Sequence, residues 1–164
     1  MLSLKNKNIL ISGGAGFIGS HLVDAVTKED PNNLIVVDNL FLGKESNLND
    51  AKKTYPSLKF LKEDISEFEI IKDICQKYDI DVVFDLAVIP LPASLSDPKG
   101  VFEKNVNMTL NLCELARKDY FDTFIHYSSS EVYGTCEYAP MDEKHPLNGD
   151  RKSTRLNSSH GKLS

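Results

Sequence analysis

A glycine-rich segment directly behind the first apolar run constrains the fold of this chain more than any other feature. The run Asn8 to Ser12 leads at once into Gly13-Gly14-Ala15-Gly16-Phe17-Ile18-Gly19, and a helical pattern starts behind the glycines. Glycine is needed where a chain turns tightly, where its backbone approaches a ligand, and where a helix packs closely on a strand. The order strand, glycine loop and helix is typical of a loop that binds phosphates at a helix N-terminus.

Short apolar runs and helical patterns alternate along the rest of the chain. The further runs are rich in β-branched residues and are predicted to be buried strands: Leu34 to Asp38, Leu58 to Asp64, Asp81 to Ala87 and Phe124 to Ser129. Three sets show helical spacing: Ile18, Leu22, Ala25 and Val26; Phe68, Ile71, Cys75 and Tyr78; Phe102, Val106, Leu110 and Cys113.

Two helix starts support this alternation. Ser66 and Glu69 have the spacing of a capping box, and Asp97-Pro98 predicts the start of a long helix that runs to about Lys118. The pattern predicts an α/β fold, a Rossmann doubly wound parallel sheet of about five strands. Its ligand crevice is expected beyond the carboxyl ends of the strands, where every motif falls.

Asp38 closes the second predicted strand, 19 residues after Gly19. A carboxylate at this distance from the glycine loop accepts hydrogen bonds from the adenosine ribose of a bound dinucleotide. It favours NAD over NADP, because a 2′-phosphate would meet an uncompensated negative charge, and the one arginine before residue 150 is the distant Arg117. The alternatives are a glycine turn that serves compactness alone, or a loop that holds some other phosphate.

Composition narrows the class of protein. The chain has 164 residues, 41% of them hydrophobic and 26% charged, as in a soluble globular domain. The net charge of -5 predicts no nucleic-acid partner, and no apolar run approaches the roughly 20 residues that cross a bilayer, so we expect a cytoplasmic protein without membrane association. Cys75, Cys113 and Cys136 are expected to be free thiols, and no residue cluster predicts a metal site.

From about Lys5 to Leu147 the chain resembles the NAD-dependent nucleotide-sugar epimerases and dehydratases, which are extended short-chain dehydrogenases/reductases. The resemblance rests on the glycine loop, on Val37-Asp38-Asn39-Leu40 and on the segment Tyr127 to Gly134. It implies cofactor contacts at Gly13, Gly14, Gly16, Phe17, Ile18, Gly19, Asp38, Asn39, Asp64, Ile65, Leu86, Ala87 and Asn105. The chain departs from the family at Asp85, where histidine is common, and at Val88, where alanine is common.

The resemblance also implies catalytic residues at the end of the fifth strand. Ser129 matches the family's catalytic serine or threonine, which would hydrogen-bond the sugar 4-hydroxyl during hydride transfer to NAD. Ser130 and Glu131 occupy the positions of the dehydratase acid/base pair, with Glu131 placed to remove a C5 proton. This favours dehydratase or related 4-keto chemistry over simple epimerisation. His21, His126 and His145 are predicted to be a helix-face, a satisfied strand and a solvated loop residue.

The family's catalytic tyrosine, with a lysine four residues later, is expected just past residue 149 and is not found there. The one pair with this spacing, Tyr55 and Lys59, precedes the third strand, and we reject it as a coincidence. Residues 150–164 carry a net charge of +3 against -8 for residues 1–149, and they back-translate into a common sequencing-library adapter. We therefore expect a partial NAD-binding domain over residues 1–149, a disordered foreign tail over residues 150–164, no substrate domain and negligible turnover.

The predicted function is that of an NAD-dependent epimerase/dehydratase acting on a nucleotide sugar, with a possible homodimer in the intact protein. The alternative is a noncatalytic NAD-binding or regulatory module with a Rossmann fold. A Tyr-x-x-x-Lys sequence downstream in the intact gene would distinguish the two.

Overall fold

A computed structural model describes residues 3–147 of the chain, without the side chains of Ser130 and Glu131. The chain divides into two compact units, Met1–His126 and Tyr127–Ser164, and each is described by itself. The predicted tail, residues 150–164, lies outside the described residues.

Five strands form one parallel sheet in the first unit, in the order β3-β2-β1-β4-β5. They are β1 (Asn8–Ser12), β2 (Asn33–Val37), β3 (Lys59–Leu61), β4 (Val82–Asp85) and β5 (Thr123–His126). The predicted α/β fold with a doubly wound parallel sheet is confirmed. The strands β3, β4 and β5 are shorter than their apolar runs, because the last residues of each run continue into the loop beyond the sheet.

Helices connect the strands and cover both faces of the sheet. They are α1 (Phe17–Val26), α2 (Asn49–Thr54), α3 (Phe68–Tyr78), α4 (Leu91–Ser94) and α5 (Pro98–Arg117), with 3₁₀ turns at Thr27–Glu29, Glu45–Leu48 and Ser130–Tyr133. Alternate residues of each strand point to opposite faces, so the sheet has a core on each side. Leu10 packs with residues of α3 and α5, and Ile9 and Ile11 pack with residues of α1 and α2.

The two predicted helix starts have different outcomes. Asp97 is the N-cap of α5, and its side chain accepts a hydrogen bond from the Gly100 N–H at 2.9 Å, as expected. The predicted capping box at Ser66 is wrong, because α3 begins at Phe68 with Glu67 as its N-cap and without a side-chain cap. The Ser66 N–H instead donates to the Asp64 carboxylate, which ends the preceding loop in a local turn.

The apolar stripe predicted for α5 does not face the sheet. Phe102, Val106 and Leu110 are 68%, 43% and 58% exposed, whereas the buried residues of this helix are Met108, Leu112 and Leu115. The predicted phase of α1 is also shifted. Ile18 is exposed, and Val23 and Val26 carry the contact with the core.

Candidate functional site

The glycine loop between β1 and α1 is tightly packed at three of its four glycines. Gly13 has a φ of +66°, and a Cβ there would lie 2.8 Å from the Ala87 nitrogen. A Cβ on Gly19 would lie 2.2 Å from the Gly13 carbonyl oxygen, and one on Gly14 would lie 2.7 Å from a methyl group of Val36. These three glycines therefore let β1, β2, β4 and α1 approach one another closely.

Gly16 differs, because it borders open space. The one neighbour that a Cβ on Gly16 would meet within 4 Å is the Gly13 carbonyl oxygen, at 3.2 Å. Gly16 is the N-cap of α1, and no side chain caps the first turn of that helix. The first N–H groups of a helix lack partners within the helix and attract negative charge. The backbone at Gly16 thus offers a surface on which a pyrophosphate fits.

Asp38 follows β2 at the same edge of the sheet, and its side chain accepts hydrogen bonds from two loops. Its buried carboxylate accepts hydrogen bonds from the Ala15 N–H at 3.0 Å and from the Leu40 N–H at 2.8 Å. A carboxylate has about four acceptor positions, so Asp38 keeps capacity for the hydroxyl groups of a ribose. The sequence did not identify Asn47, whose side chain donates to the Ala15 carbonyl at 2.8 Å and fixes the glycine loop from the other side.

The residues after β3 form a polar cluster with β2 and α5. The Asp64 carboxylate lies 3.3 Å from the Asn39 amide nitrogen and 3.3 Å from the Lys104 ammonium nitrogen. Burial raises the pKa of Asp64, but hydrogen bonds from Ser66 and Asn39 and the charge of Lys104 outweigh it and leave the pKa below its ordinary value. Ile65 is 3% exposed and packs in the core, so its backbone is the part that can face a ligand.

The predicted residues after β4 lie beside the glycine loop. The N–H groups of Leu86 and Ala87 lie 3.2 and 3.3 Å from the Ser12 hydroxyl oxygen, and the Leu86 N–H also donates to the Ser12 carbonyl at 3.2 Å. Asn105 lies on α5, and its side chain accepts from the Ile89 N–H at 2.8 Å and donates to the Ile89 carbonyl at 2.9 Å. Asn105 therefore fixes the loop after β4 through the backbone, across 16 residues of sequence.

The unit that begins at Tyr127 contains the predicted catalytic residues. Ser129 is exposed, and its carbonyl accepts the Val132 N–H at 3.1 Å, which starts the 3₁₀ turn Ser130–Tyr133. The predicted roles of the Ser130 and Glu131 side chains lie outside the described part of the chain.

The prediction that His145 is solvated is wrong. His145 is 2% exposed, and its Nε2 accepts the Glu137 N–H at 3.0 Å. Its ring also packs against the rings of Tyr133 and Tyr138. This small core could not be predicted, because its aromatic residues follow no helix or strand period.

The rejected pair Tyr55 and Lys59 lies at the opposite edge of the sheet. The Tyr55 hydroxyl donates to the carbonyl groups of Pro31 and Asn32, just before β2 begins. Lys59 starts β3, and its ammonium group lies 3.4 Å from the side-chain oxygen of Asn33. Both side chains therefore make these contacts at the amino ends of the strands, whereas the glycine loop lies at the carboxyl ends.

Within residues 3–147 no helix is long and apolar enough to span a membrane. The same residues contain no cluster of three or more histidine, cysteine, aspartate or glutamate side chains that could hold a metal ion.

Comparison with known proteins shows the family of the chain. The profile of the NAD dependent epimerase/dehydratase family matches residues 9–154. A protein of Methanocaldococcus jannaschii assigned as a UDP-glucose 4-epimerase is 38% identical over 142 residues, which are 85% of this chain and 44% of the relative. UDP-glucuronic acid decarboxylase 5 of Arabidopsis thaliana is 36% identical over 143 residues, covering 85% of this chain and 39% of the relative.

A solved structure shares the fold. The dTDP-glucose 4,6-dehydratase of Bacillus anthracis, crystallised in complex with NAD, superposes with a TM-score of 0.72 and 26% identity over 94% of this chain and 48% of that chain. The chain therefore spans less than half the length of these relatives. The family is NAD dependent, in agreement with the cofactor predicted from the glycine loop and Asp38. The glycine loop lies at the carboxyl edge of a parallel sheet, and the family profile matches most of the chain's length. The chain therefore belongs to the NAD dependent epimerase/dehydratase family.

Proposed function

We propose that this chain forms the NAD-binding part of an enzyme that converts a nucleotide sugar through a 4-keto sugar. The observation that carries the proposal is the open backbone at Gly16, placed at the N-terminus of α1 beside the buried Asp38. The loop offers N–H groups to the pyrophosphate, and Asp38 offers acceptors to the adenosine ribose. NAD supplies the hydride acceptor when it is bound.

The other predicted contacts complete this assignment. Asp64, Asn39 and the backbone of Ile65 lie after β2 and β3 and would contact the adenine. Leu86 and Ala87 lie after β4 and would line the nicotinamide side. Phe17 and Ile18 are 82% and 63% exposed at the start of α1, where a bound dinucleotide would cover them.

Within the family we favour dehydratase or related 4-keto chemistry over simple epimerisation. Ser129 would hydrogen-bond the sugar 4-hydroxyl, and Ser130 and Glu131 would act on the proton at C5. Among the relatives, UDP-glucuronic acid decarboxylases and a dTDP-D-glucose 4,6-dehydratase stand beside epimerases, so the matches leave all three branches represented. The substrate class shared by these relatives is the nucleotide sugar.

A second candidate function is NAD binding without turnover. It is supported by the geometry at Gly16 and Asp38, which fits the binding of a dinucleotide and by itself requires no residue that acts on a sugar. Under this proposal the 164-residue chain itself binds NAD but does not oxidise a sugar.

Titration of the purified chain with NAD and with NADP tests the binding proposal. We expect NAD to bind at least about tenfold more tightly, because the 2′-phosphate of NADP would approach the Asp38 carboxylate. Asp38→Asn should reduce this preference. Equal affinity for both dinucleotides, or no binding of either, would contradict the proposed role of Asp38.

Incubation of the intact gene's product with several nucleotide sugars separates the two functions. A 4-keto product or an epimer supports the enzyme, and NAD binding without conversion of any sugar supports the noncatalytic module. Independent sequencing reads across codon 150 decide whether the native gene continues into a Tyr-x-x-x-Lys helix.

A further inference from the structure

Three polar side chains form a row across the carboxyl ends of three neighbouring strands. Ser12 ends β1, Asp85 ends β4 and His126 ends β5, and the strand register pairs Ser12 with Asp85 and Asp85 with His126. Ser12 is 0% exposed and Asp85 is 1% exposed. A buried carboxylate is costly unless hydrogen bonds compensate it, so the contacts of Asp85 show what it does.

The carboxylate of Asp85 uses both oxygens within this row. The Ser12 hydroxyl donates to Oδ1 at 2.6 Å, and the His126 Nδ1 lies 2.9 Å from Oδ2. A carboxylate only accepts hydrogen bonds, so His126 donates from Nδ1. Asp85 thereby fixes the direction in which the Ser12 hydrogen points.

The oriented Ser12 hydroxyl in turn binds the backbone after β4. Since its hydrogen is given to Asp85, the hydroxyl oxygen is left as an acceptor for the N–H groups of Leu86 and Ala87. Gly13 packs on the same peptide, because a Cβ there would lie within 2.9 Å of Leu86 and Ala87 backbone atoms. The Leu86 N–H also donates to the Ser12 carbonyl at 3.2 Å, so the Ser12 hydroxyl matters most for Ala87. The segment Leu86-Ala87 is thus held by Ser12 and packed against the glycine loop.

We propose that Asp85 and Ser12, supported by His126, are positioning residues that hold Leu86-Ala87 in the shape that receives the nicotinamide half of NAD. This rests on the proposed function, which assigns Leu86 and Ala87 to that side of the cofactor. Asp85 does not touch the cofactor; it acts through the Ser12 hydroxyl and the two N–H groups.

Asp81, at the other end of β4, offers a control for Asp85. Asp81 precedes β4, and its carboxylate accepts from the Lys7 ammonium at 2.8 Å and from the Asn8 N–H at 2.7 Å. Like Asp85, Asp81 joins β4 to β1 and has a basic partner. It lies at the amino ends of the strands, so its loss affects the sheet without affecting Leu86-Ala87.

Titration with NAD and AMP tests the proposal, because AMP carries the adenosine half alone. Asp85→Ala and Ser12→Ala should each raise the Kd for NAD about tenfold and the Kd for AMP less than about twofold, and the double variant should add little to the larger single effect. Asp81→Ala should change neither Kd more than about twofold. Equal losses for NAD and AMP, or equal effects of Asp81→Ala and Asp85→Ala, would overturn the positioning role.

Hydrogen exchange on the unsubstituted chain without NAD gives an independent test. The Ala87 amide lies past the end of β4 and donates to the Ser12 hydroxyl, so the proposal requires it to exchange at least about tenfold more slowly than the amide of the exposed Val88. The Leu86 amide also donates to the Ser12 carbonyl at 3.2 Å and is protected in either case. Similar exchange at Ala87 and Val88 would overturn the proposal, even if the Ala variants do not fold. Failure of the chain to bind NAD, together with protected Leu86 and Ala87 amides, would instead count against the proposed function.

Discussion

Gly16 is the N-cap of α1 and Gly19 lies in its first turn, yet a Cβ would meet different surroundings at each. Gly19→Ala would place its Cβ 2.2 Å from the Gly13 carbonyl, so we expect a loss of about 1–3 kcal/mol in the free energy of unfolding. Such a loss is diagnostic, because alanine ordinarily stabilises a helix relative to glycine. Denaturant unfolding measures this change.

Gly16→Ala should behave in the opposite way. Its Cβ would meet one atom within 4 Å, the Gly13 carbonyl oxygen at 3.2 Å, so the free energy of unfolding should fall less than in Gly19→Ala, by about 1 kcal/mol or less. The Kd for NAD should rise at least about tenfold, because the methyl group fills the pyrophosphate surface. Calorimetric titration measures the Kd. If Gly16→Ala binds NAD normally, the pyrophosphate does not lie on this backbone.

The three cysteines should differ in reactivity. Cys75 is buried in α3, and burial raises the pKa of its thiol to about 12, whereas Cys113 and Cys136 are exposed. The thiolate is the reactive form, so at pH 8 a disulfide reagent should modify Cys113 and Cys136 quickly and Cys75 only after unfolding. Mass spectrometry of the labelled chain counts the modified sites. Rapid labelling of Cys75 under native conditions would contradict the packing of α3.

At the scale of single residues, the sequence predicts the residues at motif positions that require one residue type. Asp38 and the glycines could be assigned because strand, loop and acid occur at fixed spacing. The row Ser12, Asp85 and His126 could not be assigned, because its members are far apart in sequence and meet only through the strand order. A signal was nevertheless present, since Asp85 and His126 are polar residues inside predicted buried runs and Ser12 ends another.

One amide side chain, that of Asn105, hydrogen-bonds the long helix α5 to the loop after β4. Asn105→Ala would leave the N–H and carbonyl of Ile89 without the two hydrogen bonds that Asn105 provides. We expect the free energy of unfolding to fall by about 1–3 kcal/mol, measured in urea. Asn107→Ala on the exposed side of the same helix is the control and should cost less than about 0.5 kcal/mol. Equal effects would mean that the bonds to Ile89 contribute nothing.

At the scale of elements, the sequence predicts which segments are helices and strands better than which way they face. Helix α5 has two apolar sides, one formed by Met108, Leu112 and Leu115 and the other by Phe102, Val106 and Leu110. Both sides fit a helical period, so periodicity alone could not decide which one packs on the sheet. The sheet selects the side that also places Asn105 against Ile89.

For the whole molecule, the exposed apolar side of α5 predicts that the chain associates in solution. Phe102, Val106 and Leu110 lie on one face of the helix and are all exposed in this chain. Replacing all three with glutamine should lower light scattering and the binding of a hydrophobic dye, with little change in the midpoint of thermal unfolding. Leu112→Gln, at a buried position of the same helix, should instead unfold the chain. Unchanged scattering would show that this face does not drive association.

The strand order also determines when the central strand can pair during translation. β1 is made first and lies in the middle of the sheet, but its partner β4 comes late, since Ser12 and Asp85 are 73 residues apart. At a typical rate of about 5–20 residues per second, this separation corresponds to roughly 4 to 15 seconds of translation. During that interval the nascent chain has one edge of its central strand open to pairing with other chains, so misassembly can begin on the ribosome before β4 is made.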